Sequence, residues 1–153
     1  MKTHTPSPDL GIQKILVPID FSEHSKNALQ HAIFYAKQFD AELLLIYVVE
    51  PTVYPADLSF GQVAFPSIEH ELSQRGKAEL DELAKKQAAK HVRVRTMIRT
   101  GKPFLEIIDA AKQEHVDLII IATHGHTGVE HLLFGSTAEK VVRKAHCPVL
   151  VVR

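Results

Sequence analysis

The sequence predicts an α/β fold, an open five-stranded parallel sheet with helices on both faces, and three observations predict it. Glu42-Leu43-Leu44-Leu45-Ile46-Tyr47-Val48-Val49 is apolar without alternation, the pattern of a strand covered on both sides. Apolar residues recur at helical spacing between such runs, as a series of βα crossovers requires. The stretch from Ile119 to Thr137 reads in succession as interior strand, glycine-bearing loop and helix start.

A chain of 153 residues is expected to form one domain, since a domain takes roughly 100–200 residues. We read residues 1–11 as a loose leader and 12–153 as the domain. Hydrophobic residues make up 45% and charged residues 24% of the chain, with zero net charge and no basic block. That balance argues against nucleic acid or anionic lipid as the main partner. Cys147 is the only cysteine, so no intramolecular disulfide can form and nothing calls for an oxidising compartment. Leu43 to Val49 is far too short to span a bilayer, and Met1 to Gly11 has prolines where a signal peptide has its apolar region. The expectation is a cytoplasmic protein without a membrane partner.

Lys14 to Asp20 is an apolar run closing on a carboxylate, read as strand one. Ser22 is placed to cap the helix that follows, and Ala28, Leu29, Ala32, Ile33 and Ala36 mark its buried face. Glu42 to Val49 is strand two. Glu50 to Pro66 contains three prolines and a glycine, and its apolar residues have no repeat, so it reads as a long loop. Ile68, Leu72, Leu80, Leu83 and Ala84 predict a second helix to about Lys90. His91 to Ile98 alternates, as an edge strand does. Pro103 suits a first helical turn, and Phe104, Ile107, Ile108 and Ala111 give the third helix its stripe. Val116 to Ala122 is strand four. Gly135 to Ala145 is helix four, with Ala138, Val141, Val142 and Ala145 facing inward. Pro148 to Val152 is strand five, where a proline at the first position is permitted.

Strand, glycine loop and helix N-terminus form the arrangement that receives phosphate. Glycine allows close approach of amides, the first helical turn has unpaired donors, and the helix dipole adds positive potential. The first βα turn, Pro18-Ile19-Asp20-Phe21-Ser22, has no glycine, so the dinucleotide fingerprint is missing. Gly101-Lys102 lacks the upstream glycine and the hydroxyl of a P-loop. A nucleotide would therefore lie across the ends of strands one and four, the switch point of a sheet ordered 3-2-1-4-5.

Here the chain resembles the universal stress protein family. The ATP-holding branch of that family shows Gly, two residues, Gly, nine residues, then Gly and Ser/Thr. This chain has Ala122, Thr123-His124, Gly125, nine residues, Gly135 and Ser136. Val17-Pro18-Ile19-Asp20-Phe21-Ser22 and His146-Cys147-Pro148-Val149-Leu150-Val151-Val152 carry the likeness from about Gln13 to Arg153. The resemblance implies a Rossmann-like sheet of the adenine-nucleotide alpha hydrolase type, and ATP as ligand with a bridging Mg or Mn ion. It places Pro18, Ile19 and Asp20 on the adenosine side and the Val48 backbone at the adenine. Ile121, Ala122, His124 and Gly125 would pass under the ribose and α-phosphate, and Gly135, Ser136 and Thr137 would hold the β- and γ-phosphates. The departure is Ala122, whose methyl group is harmless at negative φ and crowds the ribose otherwise.

His124, His126 and His131 do not make a metal set, because no carboxylate or cysteine completes one, and no metal site from protein alone is expected. Gly128 is assigned only a turn. No paired base and nucleophile can be named, so the reading is an ATP-binding stress-response regulator signalling through conformation or assembly, with at most slow hydrolysis. The alternative is a nucleotide-independent interaction module of the same fold, working through a protein partner. Val149-Leu150-Val151-Val152 is too apolar for an open sheet edge, and the family resemblance points the same way, to a homodimer through residues 148–152.

Overall fold

The computed structural model describes residues 11–51, 65–88, 90–126 and 134–153. Its elements run β1 (Lys14–Pro18), α1 (Glu23–Phe39), β2 (Glu42–Val49), α2 (Phe65–Ala88), β3 (Val94–Thr100), α3 (Pro103–Gln113), β4 (Leu118–Ala122), α4 (Ser136–Lys144) and β5 (Val149–Val152). The five strands form one parallel sheet ordered β3-β2-β1-β4-β5. The leader through residue 10, residues 52–64 of the long loop, Gly128 and His131 lie outside the described residues.

Two apolar layers hold the sheet. Ile15, Val17, Leu43, Leu45, Ile120 and Ala122 pack against α1 and α2. Leu16, Leu44, Ile46, Ile119 and Ile121 pack against α3 and α4. Alternate residues of one strand thus serve opposite layers, which is why β2 and β4 carry no polar alternation. The Ser22 side chain caps α1 by accepting from the Ser25 amide, and all five residues of the expected inner stripe are buried. Asp117 pins the start of β1 to β4, its carboxylate accepting from the amides of Gln13 and Lys14 at 2.9 Å each.

Several boundaries differ from the sequence reading for local reasons. β1 ends at Pro18, before Asp20, because Phe21 turns the chain at a φ of 64°. β4 starts at Leu118 because the Val116 amide is spent closing α3 on the Ala111 carbonyl. Ile68 and Leu72 are 44% and 39% exposed among the described residues. With 24 residues α2 is about 36 Å long, so only its later part, from Gly76 and Leu80 onward, lies on the seven-residue β3 and its neighbour. Val142 of α4 is likewise 46% exposed.

The opening in the sheet follows from register. β1 pairs with β2 over five positions, through Pro18↔Ile46, but with β4 only at Ile15↔Leu118 and Leu16↔Ile119. Beyond those positions β1 and β4 part toward their carboxyl ends, and a crevice forms at the point where the strand order reverses.

Candidate functional site

The parted ends of β1 and β4 frame a cleft of about 500 Å³. Pro18, Ile19 and Asp20 form one wall, Val48 at the end of β2 extends it, and Ile121 and Ala122 lie at the end of β4. His124 and Gly125 leave that strand along the cleft, and Gly135, Ser136 and Thr137 close the far side at the start of α4. The structure therefore brings every residue that the resemblance assigned to the nucleotide to one crevice. It adds Tyr47, Glu50 and Pro103, which the sequence reading did not assign to the site, and it places Thr123 and His126 there as well.

Asp20 is already engaged. Its carboxylate accepts from the Ser22 amide at 3.0 Å, from the Ser22 hydroxyl, and from the His126 amide at 3.1 Å. Burial works against ionising this group. The hydrogen bonds from Ser22, Ser25 and His126 outweigh it and hold the carboxyl below its ordinary value. The His126 ring adds a bond from Nε2–H to the Asp20 carbonyl at 2.6 Å. A side chain on Gly125 would run into the Asp20 carboxylate, so glycine is what lets this loop close over β1.

The two glycines converge. The Gly135 amide donates to the Thr123 carbonyl at 2.6 Å. A Cβ on Gly135 would stand 3.0 Å from that oxygen and 3.7 Å from His124 Cα, so two main chains meet where only a glycine fits without displacing one of them. The Gly135 N–H is thus used to fasten the loop and is not offered to a ligand. Gly135 is also the N-cap of α4, with φ −68° and ψ 158°, and has no side chain to accept from the first turn. Among the described residues, no acceptor meets the amides of Ser136, Thr137 and Ala138, and all three residues line the cleft. These open donors, with the helix dipole behind them, suit an anion.

Ala122 resolves the departure noted in the sequence. It does not take a positive φ, it pairs with Val152, and its side chain belongs to the layer under α1. The methyl group is absorbed by the core.

At the opposite end, Ile19 N–H donates to the Ile46 carbonyl, and Gly101 N–H on the β3 side donates to that of Val49. Strand alternation then turns the N–H and C=O of Val48 to the β1 side, past the point where β1 has ended. One donor and one acceptor at the cleft wall can meet the edge of a nucleobase. Among the described residues no three His, Cys, Asp or Glu side chains gather as a metal set.

A sequence profile of the universal stress protein family matches residues 11–153. The chain belongs to the universal stress protein family. It is 40% identical over 144 residues to universal stress protein MJ0531 of Methanocaldococcus jannaschii, covering 92% of this chain and 82% of that one. Among solved structures it is similar to universal stress protein UspA from Lactobacillus plantarum, with a TM-score of 0.80 at 29% identity, over 93% of this chain and 98% of that one. It is also similar to hypothetical protein MJ0577, whose structure was reported as a structure-based assignment of biochemical function, with a TM-score of 0.80 at 30% identity, over 92% and 95% of the two chains. The sheet order is that of a universal stress protein fold. No helix among the described residues is long and apolar enough to cross a membrane.

Proposed function

We propose that this universal stress protein binds an adenine nucleotide, ATP with Mg or Mn bridging its phosphates, and signals through conformation or assembly. The observation that carries the reading is the convergence of Gly125, Gly135 and the three open amides of α4 on one cleft at the sheet's switch point. The nucleotide lies with its base against Val48, Ile19 and Asp20, its ribose and α-phosphate over Ile121, Ala122, His124 and Gly125, and its outer phosphates at Ser136 and Thr137. The Val48 main chain matches adenine, whose N1 accepts and whose 6-amino group donates. A divalent ion would be held by the phosphates, where it would supply charge neutralisation.

The reading is of a binding protein with at most slow hydrolysis. The lone Cys147 and the absence of any need for disulfides support work in the cytoplasm. The open edge of β5 supports assembly. The carbonyls of Pro148 and Val152 accept from Ile119 and Thr123 of β4. Alternation then points the main-chain groups of Val149 and Val151 outward, where a second copy can pair with them. Titration calorimetry with ATP and magnesium tests the reading: one saturable site per chain is expected, and GTP should bind far more weakly.

A further inference from the structure

Among the described residues no lysine or arginine lines the cleft. The neighbouring segments 52–64 and 127–133 contain neither residue type in their sequence. Among the described residues, the charged and titratable side chains lining the cleft are two carboxylates, Asp20 and Glu50, two imidazoles, His124 and His126, and the phenol of Tyr47. A third imidazole, His24 in the first turn of α1, has its ring centroid 6.0 Å from that of His124. A nucleotide polyphosphate brings several negative charges into this space. The fixed positive potential waiting for them is the N-terminus of α4, equivalent to roughly half an elementary charge. Among the described residues that line the cleft, histidine is the side chain that can add positive charge.

We propose that His124, with His24 beside it, is a proton-controlled anion contact that takes up protons when a nucleotide polyphosphate enters the cleft. Nucleotide affinity then rises as pH falls through the imidazole range. The inference rests on the nucleotide reading above and assigns the regulation of that same site. His124 Nδ1 lies 3.0 Å from Thr123 Oγ1, which fixes the ring where the loop leaves β4, just before Gly125. Two imidazolium charges at the spacing of His24 and His124 repel one another, and a polyphosphate beside them offsets that repulsion.

Among the described residues, the other charged groups around the pair have partners or places of their own. Asp20 faces Ser22 and His126, and Glu50 stands at the end of β2. On α1, Glu23 is paired with Lys26 at 2.8 Å. On α4, Glu139 is paired with Arg143 at 3.0 Å, and the Lys140 ammonium lies over the Phe104 ring of α3 at 4.7 Å. Lys102 and Glu106 stand at the start of α3, with Glu106 against Gly101, and Arg153 ends the chain beside Asn27 of α1. Carboxylates, ammonium and guanidinium groups as classes keep their charge between about pH 5 and about pH 8, which leaves the imidazoles to change. His126 donates Nε2–H to Asp20 in either protonation state, so its clasp survives the change.

The test is calorimetry of the full chain with the magnesium chelate of ATP near neutrality, in two buffers of different ionisation enthalpy. Chelated ATP has already lost its last phosphate proton there, so buffer-dependent heat reports protons taken up by the protein. Uptake of about half a proton or more is expected. Affinity should be about tenfold higher at about pH 6 than at about pH 8. In folded His124→Gln the uptake should fall toward zero and the pH dependence should flatten. His24→Gln, on an exposed helical turn, should lower the uptake in part and serves if the first variant does not fold. Binding with no buffer-dependent heat, or full uptake in both variants, overturns the proposal while the nucleotide reading stands. Absence of binding at every pH overturns both.

Discussion

His126 holds Asp20 at two points: its amide donates to the Asp20 carboxylate at 3.1 Å, and its ring Nε2–H donates to the Asp20 carbonyl at 2.6 Å. The two residues are 106 positions apart in the chain, one at the end of β1 and the other on the loop leaving β4. The clasp sets the width of the crevice just where the strands stop pairing. It also gives Asp20 a structural duty before any ligand arrives, since the same carboxylate orders the turn into α1 through Ser22.

Replacing Asp20 with alanine leaves the Ser22 amide and hydroxyl and the His126 amide without their acceptor. For a half-buried group with water in reach, a loss of about 1–2 kcal/mol in urea unfolding is expected. A change under a few tenths would show that the bonds to the carboxylate contribute nothing.

The pH dependence of stability follows from the same carboxyl. Its folded-state value lies below the ordinary 3.8, with burial opposing and hydrogen bonds from Ser22, Ser25 and His126 prevailing. A depressed folded value means stability that is present above the unfolded value and lost as pH falls through the folded one. Asp20→Asn should therefore flatten part of the acid limb of the stability curve below about pH 4 and leave its neutral region parallel to wild type. An acid limb unchanged in that variant would assign the linkage elsewhere.

Gly76 of α2 lies against the Tyr47 ring, which sits at the cleft and packs on Phe21 at a centroid distance of 5.1 Å. A methyl group at Gly76 would overlap the Tyr47 ring. Gly76→Ala should cost about 1–3 kcal/mol by overpacking, although alanine is the better helix former by about 1 kcal/mol. Combined with Tyr47→Ala the alanine should become neutral or stabilising. Additive losses in that double-mutant cycle would mean that the two residues do not press on one another.

At the other edge of the sheet, Val151→Pro removes an outward-facing amide and leaves untouched the bonds of Pro148 and Val152 to β4. A dimer formed by pairing two copies of β5 should become a monomer in sedimentation, with circular dichroism unchanged. Wild type that sediments as a monomer at all concentrations would remove this mode of assembly.

What the sequence disclosed tracks how local each signal is. The α1 stripe and its Ser22 cap are written within one or two turns, and the structure has both as read. The continuous apolar runs of β2 and β4 mark strands buried on both faces for the same reason. Ile68, Leu72 and Val142 fit helical spacing equally well but are exposed, because periodicity says which side of a helix is apolar and not how far the sheet beneath it extends. The glycine spacing around Gly125 and Gly135 foretold a meeting of main chains. It did not foretell that Gly135 N–H would be consumed by Thr123, nor that His126 would reach Asp20, since each depends on how the returning loop packs. Tyr47 escaped notice because its part in the cleft depends on a space left by Gly76 on another element.

Whether this cleft holds a nucleotide through the glycine loop is measured directly by calorimetric titration of the wild type and Gly125→Val with magnesium and ATP. The valine would press on Asp20 and fill the approach to the α4 amides. One site per chain in the wild type, with binding lost in a variant that keeps its helical spectrum, is the predicted result. Equal affinity in both proteins, or none in the wild type, would contradict it.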